Sequence, residues 1–213
     1  MESSDITAEI RMAVLGEWVP GPLASVLALQ RAEEPETHVV LAGWTDSGRG
    51  AELPGDGFDF ALSAAAWQWP GWICEPLWHD TLAVAMARRS HLLAYREVPC
   101  QEVLKQPVIC SQSTADELWR ITVQRVFDNA LQEREQTVET FDVAMTLVAA
   151  GYGIAIAPAA RLESYLRRGV AVRPLAGAPT IVMAYLLSRN ASLSDTRARF
   201  ARRARLVSWQ ACG

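Results

Sequence analysis

An uncharged run, Val143 to Pro158, constrains the fold more than any other part of the chain. It begins within "FDVAMTLVAA", passes through "GYG" and closes as "IAIAP". By hydropathy alone it approaches the roughly 20 residues that span a bilayer. The glycines redirect it. Gly151 follows a dense apolar helical pattern and stands where a helix C′ residue would. "GIAIAP" then reads as a short buried strand, with Pro158 where pairing stops. The run is a buried helix, a tight glycine turn and a buried strand. That is one αβ step of an α/β core, not a membrane span.

The same alternation runs through most of the chain. "IRMAVL" (Ile10–Leu15), "HVVLAG", "FDFALS" (Phe58–Ser63), "WICEPLW" and "TLAVAM" read as strands. "PLASVLALQRAEE" (Pro22–Glu34) reads as a helix, with Pro22 in its first turn. "DSGRGAELPGDG" is loop-like, since its glycines and Pro54 break any long helix. Further on, "QPVIC", "QTVET", "VAVRPL" and "TIVMAYLL" read as strands. "ADELWRITVQRVFDNAL" (Ala115–Leu131), "ARLESYLRR" and "SDTRARFARRARLV" read as helices, with Ser194 an N-cap for the last. Strands separated by helical segments imply a mostly parallel sheet.

Composition narrows the function classes. The net charge of −4 offers no electrostatic footprint for nucleic acid. The start, "MESSDITAEIR", does not resemble a signal peptide. The four cysteines (Cys74, Cys100, Cys110, Cys212) form no CxxC pair and the three histidines stand apart. Reduced thiols in a cytoplasmic protein fit this pattern better than a structural zinc site. No metal and no cofactor is expected. There is no GxSxG, no phosphate loop ending in Lys-Ser/Thr and no HExxH, so the chain is not expected to be an enzyme.

The order of "IRMAVLG", "FDFALSA", "EPLWHDTLAVAM", "QPVICSQS", "ETFDVAMTLVAAGYGIAIAP" and "GVAVRPL" resembles the effector-binding domain of LysR-type transcriptional regulators. The resemblance covers about residues 9 to 208, and "LVAAGYGIAIAP" is its most specific piece. It implies an α/β fold of the type 2 periplasmic-binding-protein kind, with two α/β lobes joined by two crossing strands. Lobe I would hold residues 9–83 plus 182–209, and lobe II residues 84–181. The crossing strands would be "DTLAVAM" and "TIVMAYL". A small-molecule effector would bind in the interlobe cleft and shift the angle between lobes. Promoter DNA would be touched only through an N-terminal winged helix-turn-helix, absent from this chain. Regulatory domains of the family pair side by side, which implies a homodimer or tetramer. Here Leu23–Glu34 and His38–Leu41 would face a neighbour's Glu117–Leu131. The rival within the same fold is a solute-binding protein of a transport system, which would carry a secretion signal.

On that fold, ligands meet the carboxyl ends of strands and the starts of helices, where free N–H groups favour anions and acceptors. The candidates are Gly16, Glu17, Trp18 and Val19 after the first strand, and Ser63 after "FDFAL". Ser111, Ser113 and Thr114 follow "PVIC", and Phe141 and Asp142 open the uncharged helix. Ser113, Thr114 and Thr140 serve equally as plain N-caps, and Trp18 and Phe141 as packing residues. Glu17 departs from the family, many of whose members place serine or threonine there to help hold an effector carboxylate. A glutamate would repel a carboxylate, which favours a neutral or cationic effector or one bound through hydroxyls or amides, unless Glu17 points to solvent or pairs with an arginine. Trp67, Trp69 and Trp72 either cap the cleft or pack their loop against lobe I. The arginines of "RARFARRAR" read as a solvated face.

Overall fold

The first strand shows how the chain builds its core. In the computed structural model, which describes residues 8–16, 19–44, 57–112, 117–128, 130–177, 181–190 and 194–211, β1 (Glu9–Leu15) buries Ile10, Met12 and Val14 at every second position. Period-two burial puts these three on one sheet face. The elements that follow are α1 (Pro22–Glu33), β2 (His38–Trp44), β3 (Phe60–Ser63), β4 (Trp72–Ala87), α2 (Cys100–Val103), β5 (Val108–Ser111) and α3 (Glu117–Val126). Then come β6 (Glu135–Val138), α4 (Phe141–Ala150), β7 (Ala155–Pro158), α5 (Ala159–Glu163), β8 (Val170–Pro174), β9 (Ile181–Arg189) and α6 (Asp195–Ala211). The chain divides into two units, Met1–Trp78 with Met183–Gly213, and His79–Val182. It passes from one to the other within β4 and returns within β9.

In the first unit β1 pairs in parallel with β2 and with β3, and β3 pairs antiparallel with β9. In the second, β5 and β6 are parallel, while β4 runs antiparallel to β7 and to β8. The sheets are therefore mixed, not mostly parallel. The α/β steps give parallel pairs, and the two strands that carry the chain between units run against their neighbours. "WICEPLW" and "TLAVAM" are not separate strands but one, β4. Pro76 between them has no amide hydrogen to give, yet the extended backbone continues through it.

The last helix corrects the reading of its arginines. Arg203 is only 3 % exposed. Its guanidinium donates to Glu33 Oε2 at 2.7 Å, Gln30 Oε1 at 2.6 Å and Glu34 Oε1 at 2.8 Å, all at the end of α1. Arg199 also bonds Glu34, Arg197 pairs with Asp59 and Arg205 with Glu75. Leu23, Val26 and Gln30 are the buried positions of α1. Phe200 enters the core beside Phe60, ring centroids 5.2 Å apart. Arginine stems cover apolar surface while their heads find carboxylates. The Arg203 side of the helix is therefore enclosed and ion-paired, while Arg202 and Arg205 stay exposed.

The opening run folds as its sequence implies. Thr140 caps α4, its Oγ1 accepting from Val143 N at 3.3 Å. Phe141, Ala144, Met145 and Val148 are buried, the i, i+3, i+4, i+7 stripe of a core-facing helix. Gly151 takes φ 85°, and the amides of Gly151 and Tyr152 close on Val148 O and Leu147 O at 3.0 and 3.1 Å, a left-handed C-terminal turn. Gly153 has a different reason. A Cβ there would lie 2.5 Å from Pro107 O, because Ile154 N donates to that carbonyl at 2.9 Å as the chain passes β5.

Two helices are shorter than expected. α3 ends at Val126, and Asp128 turns the chain with φ 47°, a conformation short polar side chains tolerate. "ARLESYLRR" is α5 plus a separate 3-10 turn at Leu166–Arg168, closed by Gly169 at φ 87°.

Candidate functional site

Parallel pairing gathers several candidate residues at strand ends. In the first unit Val14 lies opposite Leu62. The same register carried one residue further sets Leu15 beside Ser63, so Gly16 and Ser63 share one edge. Gly16 has φ 101° and starts the turn toward α1. Val19 follows at 56 % exposure. α1 opens at Gly21 with no side-chain cap and with Pro22 in its first turn. Glu17 and Trp18 lie outside the described residues, as do Ser113 and Thr114.

Ser63 has a second task. It is buried, and its Oγ accepts from Ala65 N at 3.0 Å and from Trp67 Nε1 at 2.8 Å. Trp67 stacks on Trp69, centroids 5.0 Å apart and planes 12° from parallel. Both pack with Trp72, Phe58 and Tyr185 on Ala13, Ala61 and Leu187, the sheet face opposite Ile10 and Met12. Arg189 Cζ stands 5.2 Å over the Trp72 ring. The tryptophan loop thus packs on its own unit. Small residues at Ala13 and Ala61 leave the room that the indoles fill.

In the second unit Ser111 pairs with Val138 across β5 and β6, and Gln112 N donates to Val138 O at 2.7 Å. Two residues on, Thr140 caps α4, so Ser111 and the start of α4 meet at one edge. Ser111 is buried. Phe141 is also buried, with Arg161 Cζ 3.9 Å over its ring and Tyr165 edge-on at 5.6 Å. Asp142 Oδ1 accepts from Tyr165 Oη and from Arg168 Nη1, each at 2.9 Å. Burial first, and then the Asp142 carboxylate, push the Tyr165 phenol above its ordinary pKa of 10.0. Phe141 and Asp142 thus already belong to a cation–π and ion-pair cluster at the start of α4.

These edges bring the Gly16 turn and the Ser63 and Ser111 hydroxyls beside the starts of α1 and α4, where polar groups can fix a small molecule. Among the described residues no group of three His, Cys, Asp or Glu is placed to hold a metal ion. No helix among them is long and apolar enough to cross a membrane. Burial pushes the Cys74 and Cys100 thiols up from their ordinary 9.0, so neither is primed as a thiolate. Sequence reasoning missed Trp78. It is 3 % exposed, and its indole N–H finds no partner among the described residues. Nothing in "EPLWHD" distinguishes this tryptophan from a packing residue.

A family profile described as the LysR substrate binding domain matches residues 3–206. No curated protein matches the chain in sequence. Among solved structures, the BenM effector binding domain with its effector benzoate superposes with a TM-score of 0.84 at 19 % identity, covering 98 % of this chain and 95 % of that one. Full-length CbnR complexed with its target DNA gives 0.79 at 18 % identity, covering 95 % of this chain and 71 % of that one. A reduced form of OxyR from N. meningitidis gives 0.77 at 17 % identity, covering 94 % and 95 %. At such identities the likeness is one of fold.

Proposed function

Since this chain belongs to the LysR substrate binding domain family, we propose that it is the effector-sensing part of a LysR-type transcriptional regulator. The observation that carries the reading is the family match over residues 3–206. The fold likeness to BenM's effector binding domain supports it. The strand-end edges are the surfaces we assign to the effector: Gly16, Glu17, Trp18, Val19 and Ser63 in one unit, Ser111, Ser113, Thr114, Phe141 and Asp142 in the other. The domain works in the cytoplasm, as a homodimer or tetramer, in a regulator that reaches DNA through a helix-turn-helix. It senses and does not catalyse. The effector acts by population shift, and it biases two conformations only by its difference in affinity for them.

Glu17 sets the class of effector. A carboxylate about 4 Å from it would cost on the order of 1 kcal/mol in water and several times that in a drier site. The effector is therefore neutral or cationic, and the benzoate of BenM is the wrong charge. Thermal unfolding against neutral phenols and amides, cations and aromatic acids checks this on the native chain and on Glu17→Ser. Neutral or cationic compounds should raise Tm saturably by roughly a few degrees, with the gain lost in Glu17→Ser. Stabilisation by acids alone, indifferent to Glu17→Ser, would keep the sensor and remove its specificity. Stabilisation by none of them would count against sensing.

A further inference from the structure

The second unit carries a groove with two arginines in its lining. It is open, holds about 540 Å³, and lies between the segment after β4 and the end of β8. Tyr95, Arg96, Glu97, Val172, Arg173 and Pro174 are among its walls. The backbone fixes those walls. Val98 N donates to Pro174 O and Ala176 N to Val98 O, both at 2.8 Å. Leu92 and Val98, on either side of Tyr95–Glu97, are fully buried. The groove is therefore formed before any ligand arrives.

Its charge is what distinguishes it. Arg168, Arg197, Arg199, Arg203 and Arg205 each face a carboxylate within the chain. Arg96 makes no hydrogen bond or ion pair among the described residues. Among the described residues Arg173 donates only to its neighbour's carbonyl, Val172 O, at 3.1 Å. Two arginines against Glu97 leave the lining of the groove net positive. Guanidinium forks match the paired oxygens of carboxylate and phosphate. We infer that this groove is a second small-molecule site, taking a compound through one carboxylate or phosphate group held by Arg96 and Arg173. Glu97 repels a second anionic group and receives an amine on the same compound. The site is independent of the effector edges, and it prefers the charge that Glu17 rejects.

Calorimetric titration of this chain with inorganic phosphate and, separately, with acetate tests the site and tells the two anions apart. One saturable site is expected for at least one of them. Arg96→Gln and Arg173→Gln should each weaken it about tenfold, roughly the loss of one charge-assisted bond. Arg167→Gln, an equal charge change at an exposed position, should leave it intact. Arg96→Gln is exposed and decides the matter should Arg173→Gln fold poorly. Absence of saturable heat with both anions would overturn the site, and so would binding that survives Arg96→Gln.

Discussion

Helices α4 and α6 reach the same end from opposite sequences. α4 carries a single charge, Asp142, and buries Phe141, Ala144, Met145 and Val148. α6 is crowded with arginine, yet Arg203 is as enclosed as Phe141. Burial of α4 follows from its own residues. Burial of Arg203 depends on Glu33, Glu34 and Gln30, which lie about 170 positions earlier. Apolar enclosure is thus a local property of sequence, and charged enclosure a property of a pair.

The sharpest way to break this contrast is Arg203→Ala. It removes the cation that Glu33 and Glu34 share, leaving Glu34 with Arg199 alone, and urea unfolding should show a loss of about 3 kcal/mol, the low end for breaking a buried pair. A loss below about 1 kcal/mol, the scale of a surface pair, would mean that α6 is held by Phe200 and its apolar neighbours alone.

Acid comes next. Arg199 foremost, then Arg203 and Gln30, hold the Glu34 carboxyl down at about 2 from its ordinary 4.5, against the opposing effect of burial. A carboxyl with a lower pKa folded than unfolded stabilises fully above pH 4.5, and that stability fades as pH falls toward 2. Its share is on the order of 3 kcal/mol. Unfolding free energies measured from pH 6 to pH 2 should show this slope, and Glu34→Gln should flatten it.

The smallest effect belongs to α4. Met145→Ala removes a side chain that is 2 % exposed and should cost about 2–3 kcal/mol. That loss should be the same at pH 6 and pH 3, since no titrating group is lost. A pH-dependent loss would show that α4 is coupled to charges its sequence does not contain.

The same contrast explains what could be read from sequence. The helix–glycine–strand step at Phe141–Pro158 was legible because Gly151 and the apolar stripe are local signals. Continuity of β4 was not, because Pro76 looks like a stop and its tolerance depends on which side of the strand needs no donor. The strand-end positions of Gly16, Ser63 and Ser111 follow from α/β connectivity. Their detailed duties do not. Ser63 holds Trp67, a contact that depends on how the loop folds back, and Asp142 meets Tyr165 and Arg168 across a turn that reads as helix. The arginine pair at Arg96 and Arg173 is likewise invisible until the Val98 segment pairs with the end of β8 and brings them to one groove.

Amide hydrogen exchange, with and without a stabilising neutral or cationic compound, tests the sensing claim most directly. Protection should rise at the strand ends and helix starts of both units, at residues 16–21 and 63–65 and at residues 111–114 and 140–143. Protection confined to other surfaces, such as the Arg96–Arg173 groove, or no protection at all, would contradict it.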